Sequence, residues 1–218
     1  MLNVYYLKLS DFAVYPDDFF LPFVGVDTQQ ALGNYKNAQV RRTKLLGETM
    51  VRKLLKTDFN LETKDYRIVK GEHGKPYIER RDDVFFNLSH SGEYVVCALS
   101  TSEVGVDIER KGKVRIGVAR RFFHSCEVEL LENLSDTQQT EWFFRYWSVK
   151  ESFLKYTGSG LSSPLSGFEV CFTGDEIRIE KEHSRIPVDI RECQIDDGYS
   201  CFVCSHTAEL LTLRPFSL

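Results

Sequence analysis

Two stretches of the chain carry apolar residues at the mixed three- and four-residue steps of an amphipathic helix. The first runs from Asn37 to Lys56, where Val40, Leu45, Met50, Val51, Leu54 and Leu55 share a face. The second runs from Thr140 to Tyr156 and stops at Thr157-Gly158-Ser159-Gly160, whose glycines supply a helix stop. A shorter helical pattern covers Gly117 to Phe123 and continues at Glu127 to Leu134. Strand-like runs flank each long helix. The first half offers Asn3–Leu9, Tyr66–Lys70, Pro76–Ile78 and Tyr94–Leu99; the second offers Val104–Glu109, Phe168–Phe172, Ile177–Glu180, Pro187–Glu192 and Tyr199–Cys204. One long helix with several short strands thus occurs twice. The pattern predicts an α+β fold of two similar lobes in a pseudo-twofold arrangement, each a long helix packed on a small, mostly antiparallel sheet. Residues 1–103 would form the N-terminal lobe and residues 104–218 the C-terminal lobe. Leu213 to Leu218 read as a loosely held tail.

Composition narrows the class. The 218 residues suit one large domain or two small ones. A hydrophobic share of 42% and a charged share of 28% exclude wholesale disorder, collagen and coiled coil. A net charge of -4 argues against a protein that grips nucleic acid mainly through phosphate attraction. Nothing approaches the roughly 18 consecutive apolar residues of a membrane span. The N-terminal MLNVYYLKLSDF reads as the start of a strand, not as a signal peptide. Cys97, Cys126, Cys171, Cys193, Cys201 and Cys204 are scattered; the CxxC at 201–204 has no second pair at zinc spacing. Reduced thiols and a cytoplasmic location are expected.

Three segments carry candidate chemistry. In Val104-Gly105-Val106-Asp107-Ile108-Glu109 the period of two sends Val104, Val106 and Ile108 to one face. Gly105, Asp107 and Glu109 take the other, so two carboxylates stand side by side next to a residue with no side chain. Adjacent like charges call for a cation between them, and Mg²⁺ takes one or two protein carboxylates together with phosphate oxygens. The alternative is a solvated strand face. On the second long helix, Trp142, Phe143, Tyr146, Trp147, Val149, Phe153 and Leu154 form an apolar arc with Lys150 in its middle. That lysine either snorkels outward or is aimed at an anion. Glu151 and Lys155 lie one turn apart at the edge of the arc, where a plain surface ion pair is the simplest reading. In Phe85-Phe86-Asn87-Leu88-Ser89-His90-Ser91-Gly92 an apolar run ends in a Ser-His-Ser-Gly turn suited to phosphate oxygens. Gly74-Lys75-Pro76 makes a further tight turn with one lysine.

Taken in order, these segments resemble the 4'-phosphopantetheinyl transferases of the larger, Sfp-like class. The matching residues are Gly74-Lys75-Pro76, Phe86-Asn87-Leu88-Ser89-His90-Ser91, Gly105-Val106-Asp107-Ile108-Glu109 and Trp147-Ser148-Val149-Lys150-Glu151-Ser152-Phe153-x-Lys155. The match is strong from about Thr43 to Leu161 and vague outside it. The resemblance implies transfer of the phosphopantetheine arm of coenzyme A to a serine of an apo carrier protein, leaving adenosine 3',5'-bisphosphate. It also implies coenzyme A bound between two fused copies of a small α+β unit. By the same resemblance Asp107, Glu109 and Glu151 would hold Mg²⁺ or Mn²⁺, and Lys155 would contact the pyrophosphate. Gly74, Lys75, Pro76, Ser89 and His90 would hold the adenosine end. Glu127 matches a further acidic position. Relatives carry a basic run before the first long helix; Asp27-Thr28-Gln29-Gln30-Ala31 holds no base there. Lys44, Arg41 or Arg42 is left to supply that charge.

The expected chemistry is phosphoryl transfer governed by positioning and charge stabilisation. Glu151 is the first candidate for the base that takes the serine proton, directly or through water, and Glu127 the second; Lys155 would stabilise developing charge. A pyrophosphohydrolase using the same carboxylates and a non-enzymatic carrier-binding module are the competing readings. The expected partner is an apo peptidyl or acyl carrier protein docking near Arg115, Arg120 and Arg121, on a monomer with no nucleic-acid or membrane partner.

Overall fold

A computed structural model describes residues 1–160, 163–206 and 210–218; Leu161, where the resemblance ends, lies outside them. The elements in chain order are β1 (Leu2–Lys8), α1 (Val26–Ala31), α2 (Ala38–Phe59), β2 (Ile68–Lys70), β3 (Pro76–Ile78), β4 (Phe85–Ser91), β5 (Tyr94–Ser100) and β6 (Val104–Arg110). They continue with α3 (Ile116–Phe122), α4 (Ser125–Glu132), α5 (Asp136–Thr157), β7 (Glu169–Thr173), β8 (Glu176–Lys181), β9 (Ser184–Ile186), β10 (Asp189–Glu192), β11 (Tyr199–Ser205) and β12 (Leu211–Pro215). The long helices begin and end where local chemistry dictates. Asn37 caps α2 by accepting from the amides of Gln39 and Val40, and Asn60 closes it with a left-handed φ of 54°. Gly158, with φ of 69°, closes α5.

The architecture is mixed helix and sheet, with small, largely antiparallel sheets and two long helices. One sheet has the order β12-β1-β5-β4 and another β10-β11-β6; two smaller ones are β2-β3 and β7-β8-β9. Alternation along β5 explains the layering. Val95, Cys97 and Leu99 face α2 and join Leu45, Leu46, Met50 and Leu55 in one core. Val96 and Ala98 turn the other way and meet Val104, Val106 and Ile108 of β6 and Cys201 and Val203 of β11. The far face of β11, with Phe202 and Cys204, packs under α5 with Phe143, Val149 and Phe153. The sequence of layers is therefore helix, sheet, sheet, helix.

Two expectations are corrected here. The C-terminal segment is not a loose tail. Leu211–Pro215 forms β12, which pairs in parallel with β1, the amide of Phe216 donates to the carbonyl of Tyr6 (2.8 Å), and the Phe216 ring stacks on Phe12. Ser89 to Ser91 do not form a turn either; they continue β4, and the reversal falls at Gly92, whose φ is 54°. All six cysteines are free. Cys201 and Cys204 sit in different cores because an i, i+3 step along a strand changes face. Among the described residues, no helix is long and apolar enough to cross a membrane.

Candidate active site

The site begins with a missing side chain. A Cβ on Gly105 would lie 2.1 Å from the carbonyl oxygen of Ser152 and 2.3 Å from the amide nitrogen of Tyr156. Glycine is what allows the backbone of α5 to rest directly on β6. That approach sets Asp107 and Glu109, on the same face of β6 as Gly105, against Glu151 and Lys155 of α5.

A second element holds β6 from its other edge. The amides of Val106, Ile108 and Arg110 point away from β11 and would be left without partners. Side chains of β4 accept them instead: Asn87 Oδ1 at 2.9 Å, Ser89 Oγ at 3.3 Å and Ser91 Oγ at 3.0 Å. Three polar residues at period two thus replace a backbone ladder. Each serine hydroxyl is then free to donate, Ser89 to Asp107 Oδ1 (2.9 Å) and Ser91 to Glu109 Oε2 (2.9 Å). The Asn-x-Ser-x-Ser pattern at period two was the sequence signal for this seam; Asn87 and Ser91 were not among the expected site residues. Ser89, expected at the adenosine end, is buried and engaged with Asp107, Ile108 and Lys155.

The electrostatics are those of crowded acids. Asp107 is 3% exposed. Its Oδ1 accepts from Lys155 Nζ at 2.6 Å and from Ser89. Its Oδ2 is buried and has no hydrogen-bond partner among the described residues. Burial first, and then the charge of Asp107, push the Glu109 carboxyl up to about 7. Burial and Asp107 likewise raise Glu151 above the usual carboxylate range. Lys155 does not pair with Glu151 along the helix; it reaches across to β6. An oxygen-only donor set with an orphaned carboxylate oxygen and mutually repelling neighbours fits a hard divalent cation. The three carboxylates are arranged loosely. Among the described residues, a single trio of His, Cys, Asp and Glu side chains has ligand atoms within 4.8 Å of one another, and it is His124, Cys126 and Glu169.

Glu151 and Lys155 open into a cavity of about 260 Å³, lined also by Gly74, Lys75, Pro76 and Asn87. Gly74 sits at the turn between β2 and β3 with φ of 84°. Lys75 Nζ is tied to Glu103 (2.6 Å) and to the carbonyl oxygens of Val104 (3.2 Å) and Tyr156 (3.1 Å). A neighbouring hollow of about 390 Å³ extends past Lys75 and Pro76 to Tyr77, Arg81 and Phe86. His90 is on the face of β4 opposite Ser89 and Ser91 and is exposed. Its pKa lies below the ordinary imidazole range through desolvation, then through Lys44 and Lys155. Lys44 therefore stands within electrostatic reach of His90. Arg41 and Arg42 are instead held by Asp17, and Arg42 also by the Tyr15 carbonyl.

Glu127 and Lys150 form a separate feature. Lys150 is fully buried, and its Nζ meets Glu127 Oε1 (2.9 Å) and the carbonyl oxygens of Leu165 (2.9 Å) and Phe168 (2.7 Å). It neither snorkels nor faces an anionic ligand. Glu127 also accepts from the amides of Val170 (2.7 Å) and His124 (3.0 Å). Burial pushes Glu127 up and Lys150 down, and each charge offsets part of that for the other. With both oxygens committed and 2% of its surface exposed, Glu127 is a structural carboxylate in this arrangement and not a base open to substrate. Of the basic residues expected at a docking face, Arg120 is engaged with Glu132 (2.7 Å), and Arg121 lies over the Phe122 ring.

Comparison with known proteins gives the family. A family model described as 4'-phosphopantetheinyl transferase superfamily matches residues 103–204. Another, described as 4'-phosphopantetheinyl transferase, N-terminal, matches residues 18–102. The chain is 36% identical over 188 residues to the 4'-phosphopantetheinyl transferase gsp of Aneurinibacillus migulanus, covering 86% of this chain and 78% of that protein. It is 34% identical over 187 residues to the 4'-phosphopantetheinyl transferase Sfp of Bacillus subtilis, covering 85% and 84%. The chain belongs to the 4'-phosphopantetheinyl transferase family, on the Sfp side of it, and is an enzyme.

Proposed function

We propose that this transferase uses the crevice beside β6 and α5 to move the 4'-phosphopantetheine moiety of coenzyme A onto a serine hydroxyl of an apo peptidyl or acyl carrier protein. Asp107, Glu109 and Glu151 would hold Mg²⁺, which when bound supplies Lewis-acid charge to a diphosphate. The observation that carries this is the buried, unpartnered Oδ2 of Asp107 facing a set of carboxylates that repel one another. The cavity bordered by Glu151 and Lys155 would accept the diphosphate. Lys155, already 2.6 Å from Asp107, neutralises charge on the phosphate oxygens, and Lys75 with Gly74 and Pro76 shapes the adenosine side. His90 and Lys44 would meet the 3'-phosphate of the nucleotide.

In the reaction, the serine oxygen forms a bond to the phosphorus bearing the pantetheine arm. The bond from that phosphorus to the bridging oxygen breaks, and adenosine 3',5'-bisphosphate leaves. Glu151 borders the cavity and would take the serine proton through a water and pass it to solvent. Residues 1–103 and 104–218 act as two lobes with the crevice at their junction, in a cytoplasmic monomer that binds no nucleic acid.

The test is intact-mass measurement of an apo carrier protein incubated with coenzyme A and Mg²⁺. The expected result is an added mass of one phosphopantetheine, lost in Asp107→Ala although that variant keeps its fold. Free phosphopantetheine without carrier would mark a hydrolase; an Asp107→Ala protein with the wild-type rate would overturn the metal assignment.

A further inference from the structure

A second constellation lies outside the crevice. At the start of α4, His124 and Cys126 face Glu169 at the start of β7, with ligand atoms of all three within 4.8 Å of one another. His124 Nδ1 is buried, 3.9 Å from Glu169 Oε2, and has no hydrogen-bond partner among the described residues. Cys126 is exposed, so the cluster opens to solvent. The backbone around it is fixed from beneath: Glu127 accepts the amide of His124 with one oxygen and that of Val170 with the other. The turn carrying His124 and Cys126 and the strand carrying Glu169 are thereby stapled together before any ligand arrives.

Charge at this place also favours a cation. Glu169 stands directly opposite Glu180 across the β7–β8 pair, and facing carboxylates destabilise a sheet. Lys150, whose charge reaches Glu169, is spent on Glu127. We propose that His124, Cys126 and Glu169 form a binding site for a borderline-soft transition metal, Zn²⁺ being the natural occupant, chemically distinct from the oxygen-only carboxylate set in the crevice. A thiolate, an imidazole nitrogen and a carboxylate are zinc donors, and three protein ligands leave one tetrahedral position for water. Binding releases the Cys126 thiol proton to solvent and leaves the filled site neutral. Cys171, two residues along the same face of β7, is not part of that trio.

Cobalt(II) is the probe, because a cobalt–thiolate bond gives a near-ultraviolet charge-transfer band that carboxylates cannot produce. Titrating the full chain with Co²⁺ in excess Mg²⁺ is expected to develop that band at one equivalent, and one equivalent of Zn²⁺ to bleach it. Cys126→Ser abolishes the band, His124→Ala weakens cobalt binding, and Cys171→Ser retains the band. Both cysteine variants should keep the wild-type far-ultraviolet dichroism. A wild-type protein with no band, or a band that survives Cys126→Ser, overturns the proposal. Either outcome leaves the Mg²⁺-dependent transfer assay unaffected, so the two readings fail independently.

Discussion

Replacing Gly105 by alanine introduces one methyl group where, of all the glycines, a Cβ would have the least room. Its carbon would sit 2.1 Å from the Ser152 carbonyl oxygen, 2.3 Å from the Tyr156 amide nitrogen and 2.9 Å from the Lys155 carbonyl carbon. Ordinary contacts are 3.4–4 Å, so α5 and β6 must part by more than about 1 Å, and the atoms met are helix backbone with no rotamer to yield. Overpacking typically costs about 1–3 kcal/mol, and this site belongs at the upper end or above it. Activity should fall further than stability does. The parting separates Glu151 and Lys155 from Asp107 and Glu109, and misplacing a catalytic group by about 1 Å can cost about 10²-fold in rate. Urea unfolding and the initial rate of carrier modification read the two effects separately. Gly117→Ala is the control: its new methyl meets nothing within 4 Å, and the change should be neutral or stabilise by up to about 1 kcal/mol. A Gly105→Ala protein with wild-type stability and rate would refute the claim that backbone approach builds the site.

Two other measurements follow from the buried charges. Lys150→Met strands the Glu127 carboxylate in the core and should cost about 3–5 kcal/mol in denaturant unfolding; Lys150→Met with Glu127→Gln should recover much of it, and a loss under about 1 kcal/mol for the single variant would contradict a sealed ion pair. For the metal-free protein, Glu109 and Glu151 both titrate above their unfolded values. Their contribution to stability is complete below the unfolded carboxylate range and is lost as pH rises toward about 7. Unfolding midpoints in chelator should therefore decline across that window, and Glu109→Gln should flatten the decline; a midpoint rising with pH through the window would be the wrong sign.

How much of this was legible beforehand depended on range. The alternation of Val104, Val106 and Ile108 against Gly105, Asp107 and Glu109 is local, and a strand has only two faces, so the acidic face could be read directly. Both long helices announced themselves by period, but α2 runs past Lys56 to Phe59, where Asn60 closes it, and α5 begins at Asp136, ahead of Thr140. Lys150 was another matter: helical spacing places it inside an apolar arc but cannot say that Glu127, on a different helix, waits there. The end of β4, from Ser89 to Ser91, resembled a turn for a related reason. Its side chains serve the backbone of β6, a partner invisible along β4 itself. The segment from Leu211 is short, and nothing within it reveals a parallel pairing with a strand two hundred residues earlier.

That last pairing has a bearing on how the molecule can be divided. A cut between residues 103 and 104 would give a leading fragment with its long helix and β1, β5 and β4, yet with the outer rim of β1 bare. The trailing fragment would carry the ribbon that belongs on that rim. Each piece would thus lack something the other holds, an uncovered strand rim being an invitation to pair. The halves are buckled together like a belt, and a split gene would be expected to yield fragments that reassemble, not two self-sufficient modules.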